Sequence, residues 1–199
     1  ASEHNVFIGV DAGGGDWTTA VSDQNVGIGN YVMNAIMTGA TANTAMGYNA
    51  LGALTNGDEN VVIGAQAGAT LTTGSDNVYL GVGAANSGAT NSKNIAIGYH
   101  AFYDPNDGLD GCIAIGYDAM GGGVITDPHY TIAIGQNALK ALTSGVQNVA
   151  IGYQALTAVT TGQQNTVVGY DSANLLTTGS TNTVLGNNAF NDAARTESG

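Results

Sequence analysis

The sequence is short of charge, and above all of positive charge. Lysine, arginine, aspartate and glutamate together supply 9% of its residues, against roughly 25% in average proteins. Its basic residues are Lys93, Lys140 and Arg195, set against 15 acidic ones, and the formal charge is −12. Such a chain repels polyanions, which argues against nucleic acid as a partner. A single cysteine, Cys112, excludes an intrachain disulfide, so stability has to come from packing. No run of about 18 apolar residues occurs, so no membrane-spanning helix is expected. Nor does the chain open on a positively charged segment followed by an apolar stretch.

What the chain has instead is glycine and repetition. Glycine accounts for 31 of the 199 residues. Eleven glycines anchor eleven copies of one motif: Gly9, Gly29, Gly47, Gly64, Gly81, Gly98, Gly116, Gly135, Gly152, Gly169 and Gly186. Their spacings are 20, 18, 17, 17, 17, 18, 19, 17, 17 and 17 residues. A fixed period of this size along a whole chain is the mark of a solenoid, in which each repeat buries its apolar face only against its neighbours. Residues 1–199 therefore read as one repeat domain, with insertions at 10–24, 99–111 and 121–130. Stacking at about 4.8 Å per strand gives a rod roughly 50 Å long.

The residue types within the repeat indicate strands. Three positions before the glycine stands Val, Ile or Thr in every copy, from Val6 and Val26 to Thr166 and Thr183. These β-branched side chains suit a pleated surface and lose rotamer freedom in a helix. One position before the glycine is always apolar, as in Ile8, Ile63, Ile115 and Leu185. The two positions share a face, because strand side chains alternate. Between them stand Phe7, Gly27, Ala45, Val62, Tyr79, Ala96, Ala114, Ala133, Ala150, Val167 and Val184, none of them charged. A strand with one wet face should be polar there. The expectation is therefore that a second chain covers this face, with Ala45, Ala96, Ala114, Ala133, Ala150, Val167 and Val184 as the interface of a homo-oligomer.

After the glycine comes a mostly polar position (Asp11, Asn49, Gln66, His100, Asp118 and equivalents), expected to face outward, and then a small residue. That residue is alanine in nine of the eleven copies. Turns such as Thr72-Thr73-Gly74 close the coil, and asparagine opens nine copies, from Asn5 to Asn182. Stacked asparagine amides can bond from coil to coil as a ladder. Cys112 and Thr131 occupy that slot in the other two copies.

The wording Asn148-Val-Ala-Ile-Gly-Tyr-Gln-Ala-Leu156, followed by Thr-x-Gly-x-x-Asn, resembles two related groups of repeats. One is the YadA-like head of trimeric autotransporter adhesins; the other is the β-roll shaft repeat of bacteriophage tail fibres. The likeness spans residues 5 to 190. It implies an all-β, left-handed parallel β-roll of eleven coils, three chains side by side, and an adhesive or spacer role at a cell surface or in a virion. The chain carries no heptad stalk and no membrane-anchoring strands, which favours the tail-fibre form and suggests a piece of a longer fibre. The function expected is non-enzymatic, with no catalytic residues. Alternatives are a bacterial adhesin head, a polysaccharide-degrading tailspike and an ice-binding solenoid, the last of which needs a continuous threonine array.

Chemistry has room only in the insertions. The loops Tyr103–Gly111 and Gly121–Tyr130 sit on adjacent coils. Asp104, Asp107, Asp110 and Asp127 are candidate oxygen ligands for Ca²⁺, with His129 on the same edge. No other cofactor is expected. Trp17, Tyr103, His129 and Tyr130 are candidate contacts to a surface glycan or receptor. The regular tyrosines after the glycine, such as Tyr99 and Tyr117, read instead as a structural ladder.

Overall fold

The computed structural model describes residues 4–15 and 21–191. Each repeat forms one coil of a parallel β-solenoid of about ten turns. The three residues before each glycine are its strand: β1 Val6–Ile8, β2 Val26–Ile28, β3 Thr44–Met46, β4 Val61–Ile63, β5 Val78–Leu80, β6 Ile95–Ile97, β7 Ile113–Ile115, β8 Ile132–Ile134, β9 Val149–Ile151, β10 Thr166–Val168 and β11 Thr183–Leu185. They pair in chain order as one eleven-stranded sheet. Equivalent residues sit side by side, for example Val61 with Val78 and Ile95 with Ile113, whether the repeat has 17 or 18 residues. Coil-to-coil hydrogen bonds continue around the rest of the circumference, as in Gln66 N–H to Tyr48 O (2.8 Å) and Thr55 N–H to Thr72 O (2.9 Å). Three-residue strands persist because every side of the coil is bonded to the next.

The two faces of the sheet are the reverse of the expectation. Ala45, Val62, Tyr79, Ala96, Ala114, Ala133, Ala150, Val167 and Val184 point into the coil and are buried within one chain. They pack against the alanine three residues after the glycine (Ala50, Ala67, Ala101, Ala155) and against Leu51, Leu54, Leu71, Leu139, Leu142 and Leu156. No partner can reach Ala45, Ala96, Ala114, Ala133, Ala150, Val167 or Val184, so they form no interface. The physical reason is the width of the coil. The opposite wall already supplies the leucines, and only small or flat side chains fit beneath the strand. The β-branched positions accordingly face outward: Val61 is 40% and Ile63 42% exposed. The polar position after the glycine does turn outward, half-buried or exposed from Asp11 to Asn188.

The backbone explains why one residue type marks every coil. The eleven repeat glycines hold φ between +129° and +153°, a region essentially closed to side chains. They also stack: a Cβ on Gly64 would lie 2.2 Å from Gly81 O. Two and four residues later the chain turns through left-handed conformation again, at Asn49 (φ 54°) and Leu51 (φ 50°), and likewise at Gln154 and Leu156. Asparagine and aspartate tolerate this conformation. The leucines do so less readily, and their burial offsets the strain.

Candidate contact edge at the loop-bearing coils

The asparagine ladder forms, and it shows where the regular coils give way. Asn60 donates from Nδ2 to Asn43 Oδ1 (2.9 Å) and Gly74 O (3.0 Å), and its own Oδ1 accepts from Asn77 N–H and Nδ2. The ladder runs in this form from Asn5 to Asn77 and resumes from Asn148 to Asn182. At the two insertion coils, Cys112 and Thr131 stand in its path. Cys112 N–H still donates to Asn94 Oδ1 (2.8 Å), while its Sγ lies 3.1 Å from Pro128 O. Burial pushes the Cys112 thiol up to about 11, and it is a free cysteine.

The two insertions do pair along one edge. Pro105 bridges Ile125, Asn106 N–H donates to Ile125 O (2.8 Å), and Ile125 N–H to Asp104 O (3.1 Å). Phe102, Leu109 and Ile125 are buried and anchor the loops in the core. Thus the loops are extensions of the coils with apolar roots of their own.

The four aspartates, however, do not converge on a cation. Asp107 Oδ1 accepts from Ala89 N–H, and Asp110 Oδ1 from Ser92 N–H (3.0 Å). Asp127 Oδ1 lies 3.3 Å from His129 Nε2. Asp104 borders a separate depression with Ser87, Gly88, Pro105, Asn106, Asp107 and Thr126. Among the described residues no three His, Cys, Asp or Glu side chains are placed to hold a metal ion. The calcium expectation is corrected accordingly: two of these carboxylates serve backbone amides of the preceding coil.

The Asp110 bond belongs to a second ladder, six residues before the repeat glycine, which the motif reading missed. Thr41 N–H donates to Asp58 Oδ1, Asp58 N–H to Ser75 Oγ, Ser75 N–H to Ser92 Oγ, Ser92 N–H to Asp110, and Asp110 N–H to His129 Nδ1 (3.2 Å). The signal was a short polar acceptor recurring at one position. It stops at Val146, which has no acceptor to offer.

Beside that stop lies an open depression of about 400 Å³, lined by Asp110, His129, Tyr130, Val146 and Gln147. Val146 and Gln147 come from a regular coil and carried no sequence signal. Tyr130 is 66% exposed, and the Cδ1–Cε1 edge of its ring abuts Gly111, where a Cβ would come within 2.7 Å of Tyr130 Cδ1. Tyr103 is placed differently, stacked on His100 at 4.1 Å. His100 in turn stacks on Tyr99 (3.9 Å), and Tyr99 on Tyr117 (5.3 Å). Tyr153 and Tyr170 stack likewise (5.0 Å). The tyrosine column is therefore a structural ladder along those coils. Next to Tyr117, Asp118 Oδ2 accepts from Lys140 Nζ of the following coil (2.8 Å). Of the expected contact residues, His129 and Tyr130 share one depression, Tyr103 is packed into the aromatic stack, and Trp17 lies outside the described residues.

The threonine hydroxyls also form columns. Thr38, Thr55 and Thr72, and again Thr126, Thr143 and Thr160, each donate to a carbonyl of the next coil. Ala89, whose carbonyl accepts from Thr72, interrupts them.

Comparison of the chain with protein-family models, with curated proteins and with solved structures returns no match.

Proposed function

We propose that this chain is a non-enzymatic structural and adhesive module of a bacteriophage tail fibre, working outside the cell in host attachment. In that reading three copies lie side by side as left-handed coils. The rod presents the loop-bearing edge in several copies, so that weak contacts add through avidity.

The observation that carries the reading is the outer face of the sheet. Over eleven coils its two columns run through Val6, Val26, Thr44, Val61, Val78, Ile95, Ile113, Ile132, Val149, Thr166 and Thr183, and through Ile8, Ile28, Met46, Ile63, Leu80, Ile97, Ile115, Ile134, Ile151, Val168 and Leu185. Not one of these residues is charged, and three are polar, all threonine. A sheet face left in water alternates toward polar residues, and a large contiguous apolar patch marks an interaction surface. A second and third copy of the same sheet supply a matching apolar cover. The number three and the tail-fibre role rest on the resemblance of the Asn-x-Ala-Ile-Gly-Tyr repeat to trimeric fibre and adhesin repeats.

The adhesive part is tested by adsorption of fluorescently labelled protein to a panel of bacterial cells. Saturable binding to some strains and not others supports it. Uniform absence of binding across a broad panel, by protein shown to be folded and oligomeric, leaves a spacer role alone.

A further inference from the structure

We propose that the depression beside Tyr130 binds one uncharged sugar ring, with Tyr130 as the stacking platform and Asp110 as the acceptor for sugar hydroxyls. The inference rests on the adhesive reading above and gives it a site and a ligand class.

A sugar ring has an apolar C–H face and a rim of hydroxyls, so its site needs an exposed aromatic face held still beside fixed polar groups. Tyr130 provides the first. It holds φ at +55°, its N–H donates to Asp110 O at 3.3 Å, and its ring rests on the bare backbone of Gly111. The Cδ1–Cε1 edge of the ring is thereby supported, while the residue as a whole remains 66% exposed. Tyr99, Tyr117, Tyr153 and Tyr170 differ in that each stacks on another aromatic ring.

The polar groups are fixed as well. Asp110 spends one oxygen on Ser92 N–H (3.0 Å), which sets the plane of the carboxylate and leaves its second oxygen for a ligand. His129 uses both ring nitrogens, Nδ1 toward Asp110 N–H and Nε2 toward Asp127, and so forms a rigid wall. Gln147 accepts from Gln164 Nε2 through Oε1 (3.2 Å), leaving its amide N–H groups to donate. Val146 completes an apolar flank, and the volume of about 400 Å³ falls within the range of small-ligand sites, roughly 300–1,000 Å³. The carboxylates of Asp110 and Asp127 disfavour an anionic sugar, which selects the neutral class.

The probes are the methyl glycosides of glucose, galactose, mannose and N-acetylglucosamine, with choline and sialic acid as charged comparisons, read by saturation-transfer NMR on the full chain. At least one neutral glycoside is expected to show saturation of its ring protons. Tyr130→Ala should weaken that binding roughly tenfold, the order of one aromatic contact. Tyr130→Phe, which keeps the ring, and Tyr103→Ala should leave it within about twofold, since twofold is under 0.5 kcal/mol. No neutral glycoside binding, equal binding by Tyr130→Ala, or preference for choline or sialic acid overturns the proposal. Cell adsorption separates its failure from that of the adhesive reading. Adsorption intact in Tyr130→Ala, with no glycoside signal, removes this site and leaves adhesion standing; no adsorption by the unaltered protein removes adhesion itself.

Discussion

Single side chains in this protein are valued by what they hand to the next coil. Asn60 is buried, and its side chain takes part in four hydrogen bonds with the coils on either side. Asn60→Ala strands the Asn77 N–H and the Gly74 oxygen, while Asn43 Oδ1 keeps the backbone N–H of residue 60, and is expected to cost about 2 kcal/mol in chemical denaturation. The reverse substitution, Cys112→Asn, places an amide beside Asn94 Oδ1 and Pro128 O, where the other ladder asparagines find their partners. It should leave the denaturation midpoint unchanged or raise it; a large fall would show that the ladder does not extend through the insertion coils. Cys112 itself should be silent to a thiol reagent in the folded protein and react as one thiol in denaturant. Because burial holds its thiol up to about 11, the unfolded chain releases that proton at lower pH than the folded one. Its contribution to stability is therefore complete below the ordinary thiol range and is lost as pH rises from there toward 11. The buried Tyr79 hydroxyl is shifted in the same direction by burial and adds to the alkaline loss.

At the scale of the strand and its turn, most of the architecture was legible in the sequence. The three residues before each repeat glycine are the strand in all eleven coils, and the insertions at 99–111 and 121–130 are loops rooted in adjacent coils. Steric exclusion made this readable, since only glycine holds φ near +140° with a carbonyl packed against it. Gly64→Ala is expected to destabilise the fold by on the order of 3 kcal/mol, measured by thermal unfolding; a shift within error would contradict the stacked-glycine account. Which face points inward was not legible. Both faces are uncharged, and alternation alone cannot rank them. The answer lies in the far wall, where Leu51, Leu54, Leu139 and Leu142 leave room beneath the strand for alanine but not for a row of isoleucines. The loop aspartates misled for a related reason. Oxygen-rich spacing resembles a cation loop, yet Asp107 and Asp110 are fixed by amides one coil away, a partner that local sequence does not display. The depression at Tyr130 needed three successive coils to exist, so Val146 and Gln147 carried no mark of it.

For the whole molecule, the central claim is that the columns ending in Leu185 and Thr183 are covered by further copies of the chain. A charge placed in the middle of that face, as in Ile115→Glu, should prevent association while leaving the coil folded, because Ile115 points away from the core. The measurement that reaches this claim most directly is the mass in solution by light scattering on a size-exclusion column. The account predicts three times the 19.8 kDa chain for the unaltered protein and a folded monomer for Ile115→Glu. A stable, folded monomer of the unaltered protein would contradict it.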